Sequence, residues 1–165
     1  MAENERMSRA NAWQSLAVFV AVCLIVQLGG GLLTSMSVRE WYPTITKPSW
    51  NPPGWIFGPV WTALYLAMAV AGWLIWRQRL LQNIGPAMAL FGIQLFLTLL
   101  WSALFFAMRN PMLAFFEVVL LWVAILLTTI AFWRIRPAAG ILFFPYLAWV
   151  GFAAMLNFWI WRMNA

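Results

Sequence analysis

The chain has 165 residues, 65% of them hydrophobic and 8% charged, with a net charge of +6. A soluble domain carries about a quarter charged residues, so this composition excludes an ordinary soluble protein and places the chain in a bilayer. The basic residues stand singly or in pairs between apolar runs, which argues against a nucleic-acid partner; the absence of His removes the commonest base, metal ligand and haem ligand, and the single Cys23 permits no intrachain disulfide.

A helix rises 1.5 Å per residue, so about 20 apolar residues cross the hydrocarbon layer. The first such run covers 12–34. Arg6 and Arg9 precede it, but no small-residue cleavage pattern interrupts it, and it reads as a retained span rather than a signal peptide. Gly29, Gly30 and Gly31 near its end permit close approach of a neighbouring helix or ligand.

A connecting segment follows that carries Pro43, Pro48, Pro52 and Pro53 among Trp41, Trp50 and Trp55. Proline fixes its own backbone and restricts the preceding residue, so this segment has few conformers to lose and reads as a stiff lid. A membrane-interface belt explains single Trp residues here but needs no prolines. Asn51 before Pro52 matches a helix N-cap, which starts the second helix inside the loop.

The remaining spans cover 55–76, 84–107, 112–133 and 138–161, separated by Arg77 and Arg79, by Arg109-Asn110-Pro111, and by Arg134, Arg136 and Pro137. Short connections make neighbouring helices antiparallel, so the expected fold is an all-α integral membrane protein, a compact bundle of five transmembrane helices forming one domain over 1–165. The N-terminal tail and the second and fourth loops carry six of the ten basic residues, which puts the N-terminus in the cytoplasm.

Inside the spans, chemistry-bearing residues recur at helical spacing. Trp61, Tyr65 and Met68 share one face; Gln94, Thr98, Trp101 and Phe105 share another; Tyr146, Trp149, Ala153 and Asn157 share a third. Polar side chains in hydrocarbon turn inward, either as interhelical glue or as the lining of a common cavity for a flat hydrophobic ligand. Glu117 is the only acid within a span, a functional candidate that could instead pair with Arg109 or sit protonated near the headgroups. Gly85, Ala89 and Gly92 form a small-residue face suited to helix packing or a dimer.

The runs WYPTITKPSWNPPGWIFGPVWTALY, QLFLTLLWSALFF and PYLAWVGFAAMLNFWIWR together closely resemble the translocator protein family, also known as tryptophan-rich sensory proteins (TspO/MBR) or peripheral benzodiazepine receptors. The resemblance covers about residues 15–162 and implies a five-helix, usually dimeric bundle. Its cavity lies under the first loop and takes porphyrins such as protoporphyrin IX, in some members sterols, and synthetic drugs, as ligands with no covalently bound cofactor. Carried onto this chain, the cavity residues fall on Trp61 and Trp149 with Tyr65, Trp101 and Ala153 around them, under a lid from Trp41 to Gly54; together with residues of the three helical faces the expected ligand-binding set is Trp41, Trp50, Trp61, Tyr65, Thr98, Trp101, Tyr146, Trp149, Ala153 and Asn157. Trp61 and Trp149 become catalytic residues if the protein degrades porphyrin in light, as some bacterial relatives are reported to do. Thr98 stands where many members have Asn, Leu113 where animal members have a drug-contacting Trp, and Phe158 where the sterol motif has Tyr. The expected partners are a porphyrin or other hydrophobic small molecule, membrane lipid and a second copy of the chain. Binding and regulation rank first among the functions implied, with photochemical oxidation and transport as alternatives.

Overall fold

The computed structural model describes the backbone of residues 2–165 and the side chains from Ala12 onward. Its helices are α1 (Ala2–Ser35), α2 (Gly54–Trp76), α3 (Gly85–Ala107), α4 (Pro111–Ile135) and α5 (Pro137–Met163). Five of them are long and apolar enough to cross a membrane, and the protein is multi-pass. The span boundaries fall within two residues of those read from hydrophobicity, except that the helix containing the first span begins at Ala2. The side chains of Arg6 and Arg9, on which the orientation partly rests, lie outside the described residues.

Local chemistry sets most of the boundaries. Asn110 accepts the N–H of Leu113 at 3.0 Å and caps α4, with Pro111 as its first residue. Asn83 accepts the N–H of Gly85 at 3.0 Å at the start of α3. The expected cap at Asn51 does not form. Its carboxamide accepts from the Tyr42 hydroxyl at 3.0 Å and donates to the Pro52 carbonyl at 3.2 Å; α2 then opens through a 3-10 turn, Gly54–Ile56. The fifth span, read as continuous over 138–161, is broken: Pro137–Ile141 and Phe144–Met163 are helical, with a turn at Leu142 and Phe143 between them. Pro145 explains the break, since its ring displaces the carbonyl four residues back, that of Ile141. A further irregularity ends α3, where Ala103–Ala107 widens into a π turn and Met108 N–H reaches the Ala103 carbonyl at 2.8 Å.

The helices close into a ring. α1 packs on α2 and α3, α4 packs on α3 and α5, and the short opening segment of α5 returns to α2. α1 is peripheral, with 6% of its span buried against 33–44% for the other four. At Gly140 this closure is tight: a Cβ there would stand 2.9 Å from Cα of Trp133. The backbones of α2 and the long arm of α5 scarcely approach each other, and aromatic rings bridge the gap between them.

Candidate functional site

Two of the three faces read from helical spacing meet across that gap. Trp61 of α2 lies 5.8 Å from Tyr65 on its own helix and 6.2 Å from Tyr146 of α5, ring centre to ring centre. Trp149 lies 5.8 Å from Phe57 of α2 and 5.7 Å from Phe152 of α5, while Trp50 of the loop reaches Phe152 at 5.8 Å. Trp61 and Trp149 make no ring contact with each other, and their ring partners, Tyr65 and Tyr146 for the first and Phe57 and Phe152 for the second, form two separate sets. Phe57 and Phe152 escaped the sequence reading, although Phe57 stands four residues before Trp61 and Phe152 three after Trp149, the spacing of a shared helical face.

The third face, on α3, joins the others through hydrogen bonds. The Thr98 hydroxyl donates to the Gln94 carbonyl at 2.8 Å, which leaves its oxygen to accept from the buried Tyr146 hydroxyl of α5. Trp101 donates its indole N–H to Asn157 Oδ1 at 3.1 Å, and Asn157 Nδ2 donates to the Pro111 carbonyl at 2.7 Å. Both amide atoms of Asn157 are thus engaged in tying α3, α4 and α5 together. Trp101 stacks on Phe105 at 5.3 Å, and the π turn brings Phe106 to 6.0 Å from Trp101 as well. Ala153 is half-buried one turn before Asn157 and keeps that side of α5 narrow.

Several buried polar atoms have no protein partner: both amide atoms of Gln94, both carboxyl oxygens of Glu117 and the indole nitrogen of Trp149. Such groups are costly in a low-dielectric interior unless something hydrogen-bonds to them. Glu117 does not pair with Arg109, as one reading of the sequence allowed. The guanidinium of Arg109 instead donates to Ser37 Oγ at 3.1 Å and lies 4.0 Å from Glu40. α4 and α5 run antiparallel, with Pro111 opposite Asn157 and Trp122 bonded to the Leu147 carbonyl at 3.1 Å, so Glu117 stands near the level of Ala153.

The loop covers one end of these faces and is fastened at several points. Lys47 Nζ donates to the carbonyls of Tyr42 at 2.6 Å and Ile45 at 2.7 Å, and sits 4.8 Å from the centre of the Tyr42 ring. Burial raises the Tyr42 phenol above its ordinary value, an effect its bond to Asn51 partly opposes, so the hydroxyl stays a donor at neutral pH. Trp41 packs edge-on against Phe105 at 5.7 Å. Asn164, at the end of α5, accepts the Thr46 N–H at 2.9 Å and donates to the Thr46 carbonyl at 2.8 Å. Trp55 remains 74% exposed and belongs to the interface rather than to the cluster.

Comparison with known proteins agrees with this architecture. The model of the TspO/MBR family matches residues 19–162. The chain is 43% identical over 154 residues to the tryptophan-rich protein TspO of Chlorobaculum tepidum, covering 91% of this chain and 96% of that one. It is 37% identical over 152 residues to the tryptophan-rich sensory protein of Cereibacter sphaeroides, covering 92% of each. It is also 37% identical over 141 residues to the translocator protein of Sus scrofa, covering 82% of this chain and 83% of that one.

Proposed function

The chain belongs to the TspO/MBR family, and from that premise we propose that it is a membrane receptor for porphyrins and related flat hydrophobic molecules, acting in tetrapyrrole sensing. The ligand lies within the bundle below the first loop, among Trp61, Tyr65, Thr98, Trp101, Tyr146, Trp149 and Ala153, with Trp41 and Trp50 in the covering segment. The observation that carries this reading is the aromatic bridge between α2 and the long arm of α5, where Trp149 keeps a buried indole N–H without an acceptor. A flat macrocycle beside these rings buries its apolar faces, and stacking on one ring contributes on the order of 1 kcal/mol beyond area burial. Asn157, with both amide atoms engaged, acts by holding Trp101 in place rather than by turning toward the ligand. The N-terminus is cytoplasmic on the count of basic residues, and the working form is a homodimer.

A second reading, light-dependent oxidation of protoporphyrin IX, draws support from the ring contacts of Trp61 with Tyr65 and Tyr146 at 5.8 and 6.2 Å. In this reading the excited porphyrin takes an electron from the indole and passes it to dissolved dioxygen, and the indole radical cation is refilled from the porphyrin, so the porphyrin is the species oxidised and dioxygen the one reduced. One experiment separates the readings: titration of protoporphyrin IX by Trp fluorescence quenching, beside an illuminated absorbance time course, on the parent, Trp61→Phe and Trp149→Phe. A receptor shows affinity losses of about tenfold or less and no new absorbing product. An enzyme shows a product that nearly vanishes in both variants while the porphyrin still binds, because Phe is far harder to oxidise. Unchanged binding in both variants, with no product, overturns the site.

A further inference from the structure

We propose that the protein carries a specific site for one anionic phospholipid on its outer face, at the junction of the first loop, the turn between α3 and α4, and the end of α5, sharing only Trp41 with the segment that covers the interior rings. A groove of about 550 Å³ opens there, lined by Trp41, Arg109, Asn110, Met112, Trp161 and Asn164 among others. Its lining includes two indoles of the kind that settle at the membrane interface and one guanidinium, with Asn110 and Asn164 beside them engaged in capping α4 and holding Thr46.

Arg109 is the residue around which the site is built. Among the described residues it is the one non-glycine with a positive φ, 52°, a conformation that costs roughly 1 kcal/mol and persists only where its surroundings hold it. Those surroundings are a relay: Arg109 Nε donates to Ser37 Oγ at 3.1 Å, and the Ser37 hydroxyl donates to the Phe106 carbonyl at 2.6 Å. The relay uses the Nε side of the fork. Its nearest carboxylate, Glu40, stands at 4.0 Å, beyond hydrogen-bond range, on a side chain that is 83% exposed. Nη1 and Nη2 make no hydrogen bond to the protein, although Nη2 faces Glu40 at 4.0 Å, and such a fork can engage a phosphodiester through two parallel N–H bonds.

The groove also has an apolar continuation, which separates a phospholipid from a free anion. Below Met112 and Trp161, the seam between α4 and α5 is paved with Phe115, Phe116 and Phe158, whose ring centres lie 5.3 to 6.1 Å from one another or from Trp161. Phe116 is 60% exposed and Met112 43% exposed on this surface. An acyl chain descending from a phosphate at Arg109 lies along these side chains. A zwitterionic lipid brings its own ammonium to the same place, where it competes with the guanidinium, so the site selects net negative charge.

The test is native mass spectrometry of the full chain with phosphatidylglycerol, phosphatidylcholine or inorganic phosphate. One phosphatidylglycerol per chain is retained in preference to phosphatidylcholine, and Arg109→Gln weakens that retention about tenfold or more. Met112→Glu, which leaves Arg109 and its Ser37 bond in place, weakens it comparably and decides the matter if Arg109→Gln fails to fold. Arg162→Gln, which changes a charge outside the groove, leaves retention intact. Equal retention of phosphatidylcholine, displacement of the lipid by inorganic phosphate alone, or an equal loss in Arg162→Gln overturns the proposal.

Discussion

Glu117 and Asn157 are both buried polar residues of the bundle, yet they stand in opposite energetic positions. Asn157 has a partner for each amide atom, whereas neither carboxyl oxygen of Glu117 has one. Removing the first strands the Trp101 indole and the Pro111 carbonyl; removing the second relieves an uncompensated burial. Asn157→Leu should therefore destabilise the protein by about 1–2 kcal/mol, within the range of paired hydrogen bonds in membrane bundles. Glu117→Leu should instead stabilise it by about 1–3 kcal/mol, the cost of an unsatisfied buried group. Reversible denaturation in detergent micelles, followed by helical circular dichroism, measures both; equal losses in the two variants would mean that Glu117 has a partner in solution. Asn157 was legible as inward-facing from sequence, because an amide does not tolerate hydrocarbon, whereas Glu117 was legible only as a candidate whose place was open. Which of them is already satisfied was not legible, since partners separated by 46 and 56 positions meet only in the folded bundle.

At the scale of elements, the first loop is stiffened twice, by its prolines and by its fastenings. Pro48 is buried, and Lys47, Tyr42, Asn51 and Thr46 are all hydrogen-bonded around it. Replacing Pro48, Pro52 and Pro53 with Ala enlarges the conformations available to the unbound segment. Porphyrin affinity should fall while the helical signal is unchanged, and a triple variant that binds as tightly as the parent would deny the loop a part in binding. Asn164→Ala acts on the same element from outside by releasing both backbone groups of Thr46. Limited proteolysis within the loop should then become severalfold faster, without a change in helix content; unchanged cleavage would mean the prolines alone hold it. Elsewhere a helix junction is the sensitive point. Gly140→Ala places a methyl group 2.9 Å from Cα of Trp133, backbone that cannot swing aside, and should cost about 1–3 kcal/mol in the same unfolding measurement. The prolines of the loop were visible in the sequence, but the attachment of Thr46 to Asn164, 118 residues away, was not.

At the scale of the whole molecule, the small-residue face of α3 turns away from the bundle. Gly85, Ala89 and Gly92 are exposed, and a Cβ at Gly92 meets nothing within 4 Å. That leaves the face open to a second copy, with backbones able to approach closely. If the dimer forms there, Ala89→Leu or Gly92→Leu should yield folded monomer in light scattering, and an unchanged dimer places the contact on another helix. Because these residues face outward, the substitutions should leave the fold of the monomer intact.

The spans, their order and the inward faces followed from sequence because each rests on a local rule: a stretch of apolar residues must be helical in lipid, and a polar residue within it must turn to the interior. The tertiary structure decided what local rules do not reach. It drew Asn51 from its capping position to the Tyr42 hydroxyl and widened the end of α3 into a π turn beside Trp101. It also directed Arg109 to Ser37 and Glu40 rather than to Glu117, and brought α2 and α5 together through rings instead of backbone. In each case several partners were chemically equivalent along the chain, and the choice among them was made by distances that exist only once the ring of helices has closed.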